Sequence, residues 1–174
     1  SSLDVSRNTN LIFLDAQSNL LSSIDGLDKA TNLKDLDLSW NYFEDITITN
    51  PSLEILHMSH NDLKSLNTNG LLHLAHVFVP SNKLEIVDFS TNIALETLLV
   101  TGNKIEYINL ENNRGLTHLY IAGNLLSSLD VSNNEGLLEL RVGQNPSLTC
   151  IKIQDSQNPY TTKSEYQELN SDCD

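Results

Sequence analysis

Apolar residues recur along most of this chain in a fixed pattern, L-x-x-L-x-L-x-x-N-x-L, in which the positions marked x are mostly polar. The pattern starts at Leu11 and occurs seven times, and its last copy is interrupted at Pro146. A constant period of about 20 residues is the signature of a repeat architecture, in which each unit packs only against its neighbours. Successive asparagines are spaced by 22, 20, 21, 21, 21 and 21 residues: Asn19, Asn41, Asn61, Asn82, Asn103, Asn124 and Asn145.

The first half of each unit predicts a short β-strand whose three apolar side chains point inward. Because similar units follow one another, the strands are expected to stack in parallel about 4.8 Å apart. They should be centred near residues 14, 36, 56, 77, 98, 119 and 140. Each asparagine stands where the chain leaves the strand, and its amide can hydrogen-bond peptide groups that the turn leaves without partners. The asparagine column is therefore predicted to be structural.

The second half of each unit carries a further apolar pair, such as Leu129 and Val131, separated by a polar residue. This alternation predicts a short extended segment on the convex side of the unit. The polar residue between the pair forms an outward column, for which a solvated face is favoured and a ladder of Ca²⁺ sites is the alternative. The column consists of Asp25, Thr47, Asn67, Asp88, Asn109, Asp130 and Lys152.

Over residues 3–153 the chain resembles the leucine-rich-repeat family. The units of about 21 residues, the sequence Leu-Asp-Val-Ser-Asn-Asn at 129–134 and the sequence Asn-Pro-Ser-Leu-Thr-Cys at 145–150 are similar to secreted repeat proteins of Bacteroidetes-type bacteria. The resemblance implies an α/β-type repeat solenoid, a right-handed curved array that is mostly β with extended convex segments. It also implies a role in recognition, usually of proteins and sometimes of glycans.

Both ends of the chain depart from the repeat. Residues 1–6 match residues 127–132, so residues 1–10 are interpreted as a partial repeat within a fragment of a longer protein. The seven repeats are assigned to residues 11–153. After them, Thr162 and Glu165 have the spacing of a capping box, which predicts one short helix in a C-terminal cap over residues 154–174.

The two cysteines, Cys150 and Cys173, are expected to form a disulfide that closes this cap. Cys173 lies beside the last residue, where a thiol has no core to fill. The alternative is one buried thiol and one stray thiol in a cytosolic protein. A disulfide implies an oxidising compartment, so the protein is expected to be secreted or at the cell surface, in an extracellular or periplasmic location.

The charge of the chain limits its partners. Its 23 acidic and 10 basic residues give a formal net charge of -13. This charge argues against nucleic acid, whose phosphates require clustered Lys and Arg, and against anionic membrane surfaces. No apolar run approaches the roughly 18 to 20 residues that a membrane span needs. Neutral and basic partners remain open.

The outward positions of the concave strands are where we expect the function. Exposed, contiguous aromatic residues on such a face are typical of a binding patch. The alternative is that they only cover neighbouring apolar surface, since strands favour aromatic residues in any case. The only Trp and four of the five His fall on this face, and the predicted ligand-binding patch is Trp40, His57, His60, His76, Phe78, His118 and Tyr120.

No catalytic residue, cofactor or metal site is predicted. His57, His60 and His76 are plausible neighbours, but no cysteine or carboxylate lies between them to complete a zinc site. The scattered Ser, His and Asp residues have no oxyanion hole or nucleophile elbow. We therefore expect a recognition module, not an enzyme, that binds a protein partner on its concave face. The alternatives are a module for a neutral glycan, which would stack on Trp40, Phe78 or Tyr120, and a passive spacer in a larger surface protein.

Overall fold

The computed structural model describes residues 1–173 and shows a parallel β-solenoid with almost no helix. Each turn contributes one strand to an eight-stranded parallel sheet, here called the concave sheet. The first seven of its strands include the residues at which the repeat pattern predicts a strand centre, so this prediction is confirmed. In chain order the strands are β2 (Phe13–Asp15), β4 (Asp35–Asp37), β5 (Ile55–His57), β7 (His76–Phe78), β9 (Thr97–Leu99), β10 (His118–Tyr120), β12 (Glu139–Arg141) and β14 (Tyr160–Thr162).

In most turns the convex side carries the predicted extended segment as a short strand, in three separate sheets, but residues 46–48 and 108–110 form no strand. A single 3₁₀ turn at Leu27–Lys29 is the one helical element among residues 1–173. None of the helical structure described is long and apolar enough to cross a membrane. The convex strands are β1 (Ser2–Asp4), β3 (Ser23–Asp25), β6 (Ser65–Asn67), β8 (Ile86–Asp88), β11 (Leu129–Asp130), β13 (Cys150–Lys152) and β15 (Glu168–Asn170).

The core is a stack of equivalent apolar residues. The central residues of neighbouring concave strands are paired in register, as Leu56 with Val77 and Leu119 with Leu140. These side chains are fully buried between the concave sheet and the convex segments. Burying one such side chain stabilises the fold by about 1.5–3 kcal/mol. Because the burial comes from adjacent turns, no single turn is stable alone.

The asparagine column forms the expected hydrogen-bonded ladder. The Nδ2 of Asn103 donates to the carbonyl of Val100 in its own turn at 2.9 Å and to that of Val79 in the preceding turn at 3.1 Å. Its Oδ1 accepts the N–H of Leu84 at 3.0 Å. The side chain thus satisfies three peptide groups that the inward turn removes from water.

A second ladder of asparagines runs along the other side of the core. The Nδ2 of Asn113 donates to the carbonyls of Phe89 and Asn92, each at 2.9 Å. Asn134 repeats these contacts one turn later, with Leu110 and Asn113 as acceptors. The members Asn50, Asn92, Asn113 and Asn134 are fully buried. These asparagines lie outside the predicted repeat pattern.

The predicted C-terminal helix is wrong, because residues 154–173 continue the solenoid. β14 pairs in parallel with β12, and β15 pairs in parallel with β13. Two glutamines take the places of ladder asparagines: Gln157 donates to the carbonyls of Val131 and Asn134, and Gln167 to that of Val142. Pairing with the preceding turn therefore outweighs the local capping signal at Thr162.

The disulfide is present, as predicted. Cys150 and Cys173 are joined across a sequence separation of 23, with Cα atoms 5.8 Å apart. Cys150 begins β13, and Cys173 follows β15, which pairs with β13. The bond therefore fastens the last convex strand to the solenoid.

Candidate functional site

The concave sheet presents two outward columns of side chains. In a strand, alternate residues face opposite sides, so the central residue of each strand points into the core and its two neighbours point outward. The burial pattern of β5, β7 and β10 follows this rule, with a buried centre between two half-buried residues. The predicted patch residues on these strands are His57, His76, Phe78, His118 and Tyr120, and all of them face outward.

Trp40 and His60 lie in the turns that follow β4 and β5, and both are exposed. Their rings stack with centroids 3.7 Å apart and an interplanar angle of 17°. Both residues have a left-handed backbone, with φ of 58° at Trp40 and 53° at His60. This conformation is costly for residues with a Cβ, by about 1–2 kcal/mol. Gly102 and Gly123 occupy the same position in later turns without that cost.

His57, His76 and Phe78 form a second aromatic group. His57 is directly opposite Phe78 in the register of β5 and β7, and the two rings stack with centroids 4.6 Å apart. His76 lies on the same strand as Phe78, with centroids 6.5 Å apart. The three rings make a partly exposed aromatic surface in the middle of the concave sheet.

Tyr120 is the centre of a polar group on β10 and β12. Its hydroxyl donates to Oε2 of Glu139 at 2.8 Å, and the guanidinium of Arg141 lies 4.8 Å from its ring centroid. Arg141 also pairs with Glu139 at 2.7 Å. The hydrogen bond from Tyr120, followed by that from Arg141, lowers the pKa of Glu139. Burial, followed by the bond to Glu139, raises the pKa of Tyr120. These contacts hold the Tyr120 ring in one orientation.

The groups on the strands form one continuous surface. Leu99 pairs with Phe78 on one side and with Tyr120 on the other, so the three side chains lie in one column. Trp40 follows β4 and Tyr120 lies on β10, and these two strands are four steps apart in the concave sheet. At about 4.8 Å per step, the patch extends for about 20 Å along the solenoid.

Carboxylates occupy the same columns at the N-terminal end of the concave sheet. Asp15, Asp35 and Asp37 lie on β2 and β4. The Oδ1 atom of Asp35 is buried and has no hydrogen-bond partner within residues 1–173. Burial raises the pKa of Asp35, and the nearby His57 opposes this effect. Three of the four outward positions on β2 and β4 are therefore acidic, with Phe13 as the exception, and the face becomes aromatic at β5 and β7.

The convex column of Asp and Asn has a structural explanation. Asn67, Asp88, Asn109 and Asp130 each accept, through Oδ1, the N–H of the residue two positions later. Such turns form locally and need no metal ion. Hydrogen bonds from Ser90 lower the pKa of Asp88. Within the described residues, no group of three or more His, Cys, Asp or Glu could hold a metal ion.

Known proteins resemble this chain in sequence and in fold. A family model described as Leucine Rich repeat matches residues 29–46 and 49–65. A search of curated proteins finds no match. An internalin, InlF, from Listeria monocytogenes has a similar structure, with a TM-score of 0.71 and 18% identity over 92% of this chain and 58% of its own. The fold is that of the leucine-rich-repeat solenoids. The family match and the structural neighbours support a leucine-rich-repeat family for this chain.

Two further leucine-rich-repeat neighbours have lower TM-scores. The functional domain of InlJ from Listeria monocytogenes, which includes a cysteine ladder, has a TM-score of 0.66 and 24% identity over 88% of this chain and 41% of its own. A chain of the octameric complex of latrophilin 3, Unc5D and the leucine-rich repeats of FLRT2 has a TM-score of 0.55 and 16% identity over 83% of this chain and 61% of its own. This chain thus spans about half of the length of these neighbours.

Three exposed aromatic residues of this surface lie outside the predicted patch. Phe13 on β2 is 57% exposed. Tyr160 on β14 is opposite Glu139 and is 72% exposed. It was missed because its segment was assigned to a helical cap. Tyr42 is 56% exposed and lines, with Trp40 and His60, a shallow depression of about 350 Å³. Its signal is its position one residue after the ladder asparagine Asn41, whereas the predicted patch comes from the strands and from the position before the asparagine.

Proposed function

We propose that this leucine-rich-repeat solenoid is a non-catalytic recognition module that binds a protein partner on its concave face. The observation that carries the proposal is the placement of Trp40 and His60. Both are exposed aromatic residues that stack on each other, at a positive-φ position where the other turns hold serine, glutamine or glycine. Positive φ in this column belongs to the scaffold, whereas two exposed, stacked aromatic rings are residues of the kind that anchor protein interfaces.

The size of the surface favours a macromolecule. The patch extends for about 20 Å across the strands, along the solenoid, which is more than a small ligand can contact at once. Stable protein interfaces bury about 800 Å² on each partner and depend on a few aromatic and arginine residues. Trp40, Tyr120 and Arg141 supply these residue types on one face.

The leucine-rich-repeat neighbours support the same class of function. One neighbour belongs to an octameric complex of latrophilin 3, Unc5D and FLRT2, which is an assembly of proteins. Charge defines the partner further, because Asp15, Asp35 and Asp37 face outward on β2 and β4. A partner that is neutral or basic opposite these strands fits this face, and nucleic acid does not.

We further propose that the protein acts outside the cytoplasm of a bacterium, on a cell surface, in the periplasm or as a secreted protein. The Cys150–Cys173 disulfide supports an oxidising compartment. Two of the neighbours come from the bacterium Listeria monocytogenes. The sequences at residues 129–134 and 145–150 favour an origin among Bacteroidetes-type bacteria.

The test compares the parent protein with two double variants in capture of proteins from its native surroundings. Trp40→Ala with Tyr120→Ala removes two concave aromatic side chains that do not point into the core. Leu72→Ala with Ile93→Ala is the matched control, since these apolar residues are 55% and 64% exposed and lie outside the concave sheet. We expect one protein to be captured by the parent and the control and lost by the concave variant.

A glycan array probed with the same three proteins separates the alternatives. Binding of a neutral glycan that depends on Trp40 and Tyr120, without any captured protein, would replace the protein partner by a glycan. Equal capture by all three proteins would move the interface away from this patch. The absence of any partner in both assays would favour a passive spacer.

A further inference from the structure

The convex strands are divided into three sheets, with one interruption between β3 and β6 and another between β8 and β11, whereas the concave sheet is continuous. β6 pairs with β8, and β11 pairs with β13, but residues 106–110 between them belong to no strand. Within residues 1–173, the peptide N–H groups of residues 107–110 donate no hydrogen bond. One turn later, the N–H of Val131, which is equivalent to that of Leu110, donates to the carbonyl of Lys152 at 2.9 Å. The interruption between β8 and β11 therefore leaves a row of free peptide donors.

A cavity of about 540 Å³ lies at this interruption. One wall is the unpaired turn at residues 107–111, a second is the turn at 127–133, and the Cys150–Cys173 disulfide lies at the end. The volume is within the range of about 300–1,000 Å³ that is typical of small-molecule sites. The cavity is separate from the predicted patch, because none of the patch residues lines it.

The lining of the cavity combines hydrogen-bond donors and acceptors with one aromatic ring. Ser127 and Ser128 are exposed and make no hydrogen bond through their hydroxyls within the described residues. Asp130 and Asn109 contribute oxygens, each of which also accepts one backbone N–H. The Tyr107 side chain, which is 64% exposed, stands at the edge, and the buried Ile108 and Leu129 add apolar surface below.

This chemistry excludes several classes of ligand. An anion would meet Asp130 and Glu111 in a chain of net charge -13, with Lys152 as the single cationic residue in the lining. A purely apolar ligand would leave the serine hydroxyls and free peptide groups without partners. A polyhydroxylated neutral ligand fits best, because each hydroxyl both donates and accepts and the faces of a sugar ring pack on an aromatic side chain.

We propose that this cavity binds a neutral saccharide of one or two rings. The peptide N–H groups of segment 107–110 that face the cavity, together with the hydroxyls of Ser127 and Ser128, hydrogen-bond the sugar hydroxyls. Tyr107 packs against a ring face. The disulfide fixes the end wall, so the site is complete only in the oxidised protein. The site does not depend on the concave face, and a failure of either proposal leaves the other unaffected.

The test is a titration of the ¹⁵N-labelled protein with glucose, maltose, cellobiose and N,N′-diacetylchitobiose, followed by NMR. We expect at least one of these sugars to shift the amide signals of residues 107–110 and 127–130, with the concave strands unaffected. Ser128→Phe fills the cavity and should weaken binding about tenfold or more. Ser65→Phe is the matched control, because Ser65 begins β6 at the position that Ser128 has in its turn.

The concave amide signals show whether each variant is folded. The proposal is overturned if none of the four sugars shifts the signals of residues 107–110. It is also overturned if a folded Ser128→Phe variant binds as tightly as the parent, or if Ser65→Phe weakens binding equally.

Discussion

Trp40 and His60 stack with ring centroids 3.7 Å apart, although both backbones have positive φ. The stack joins the turns after two neighbouring concave strands. Three other turns of the same column hold Ser18, Ser81 and Gln144 at positive φ, and two hold glycine. The scaffold thus accepts serine, glutamine or glycine at this position. Substitutions of Trp40 or His60 can therefore change binding without disrupting the fold.

The first prediction uses two substitutions of Trp40. Trp40→Ala removes the ring but keeps the Cβ, so the free-energy cost of a left-handed backbone with φ of 58° remains. Trp40→Gly loses both, so it should be more stable than Trp40→Ala by about 1 kcal/mol. Chemical denaturation of the two variants measures the difference. Both variants should lose affinity for the partner to the same extent, and a variant pair with equal stability would contradict the strain at this position.

The second prediction concerns the first asparagine ladder. Asn103→Ala leaves the buried N–H of Leu84 without a partner and removes one of the two asparagine donors from each of the carbonyls of Val79 and Val100, so it should lower the free energy of unfolding by about 2–3 kcal/mol. Asn19→Ala is the matched control, because the Asn19 amide reaches only the carbonyls of Ala16 and Gln17 in its own turn. We expect it to lose about 1 kcal/mol or less. Equal losses in urea denaturation would show that contacts between turns do not set the strength of the ladder.

The strands of the concave sheet could be predicted because two independent signals agree on them. The apolar positions repeat with a fixed period, and the asparagine fixes where each strand ends. The second ladder gives the same kind of signal, since Asn92, Asn113 and Asn134 are each 21 residues apart. It was missed because these residues lie in polar turns, where asparagine is common for local reasons.

The last turn could not be predicted, because its residues do not follow the repeat pattern. Gln157 and Gln167 replace asparagine, and their longer side chains reach the same kind of carbonyl from a different spacing. The alternation of strand residues predicted which side chains of the candidate site face outward. The stacking of Trp40 on His60 and the positive φ values depend on contacts between turns, which no residue pattern contains. The boundaries at residues 10 and 153 stay predictions.

The third prediction concerns the disulfide. Replacing Cys150 and Cys173 by serine should lower the free energy of unfolding by about 3 kcal/mol, because the bond limits the freedom of the unfolded chain. β15 should then exchange its amide hydrogens first, since it pairs only with β13. Hydrogen exchange followed by mass spectrometry reports this order. Faster exchange in β5 and β7 before β15 would contradict it.

The fourth prediction uses the pKa of Asp35, which burial raises. A carboxyl whose pKa is raised by folding stabilises the native state while it is protonated, and this contribution is lost as the pH rises through the folded pKa. Asp35→Asn should therefore raise the Tm at pH 7, with a gain that shrinks as the pH falls through the raised pKa of the folded state and is gone below the ordinary carboxyl pKa of about 4. Asp155→Asn, at an exposed position of the last turn, serves as the control. A lower Tm for Asp35→Asn at pH 7 would show that the carboxylate has a stabilising partner.

The fifth prediction separates the hydroxyl of Tyr120 from its ring. Tyr120→Phe removes the hydrogen bond to Glu139 and keeps the ring beneath Arg141. That bond is the main cause of the low pKa of Glu139, so the pKa should rise toward its ordinary value in this variant. A carboxyl whose pKa is lowered by folding stabilises the native state above its unfolded pKa and loses this contribution as the pH falls through the folded pKa. Tyr120→Phe should therefore weaken this contribution to stability at neutral pH, and Glu139 should protonate at a higher pH.

The measurement is a ¹³C NMR titration of the Glu139 carboxyl in the parent, in Tyr120→Phe and in Tyr42→Phe, the last as the control outside this group. Binding of the partner completes the test, since an aromatic anchor acts through its ring. Tyr120→Phe should keep most of the affinity, and Tyr120→Ala should lose about 1–2 kcal/mol. If Tyr120→Phe binds as weakly as Tyr120→Ala, the hydroxyl and Glu139 make the contact. The recognition surface at β10 and β12 would then be polar and not aromatic.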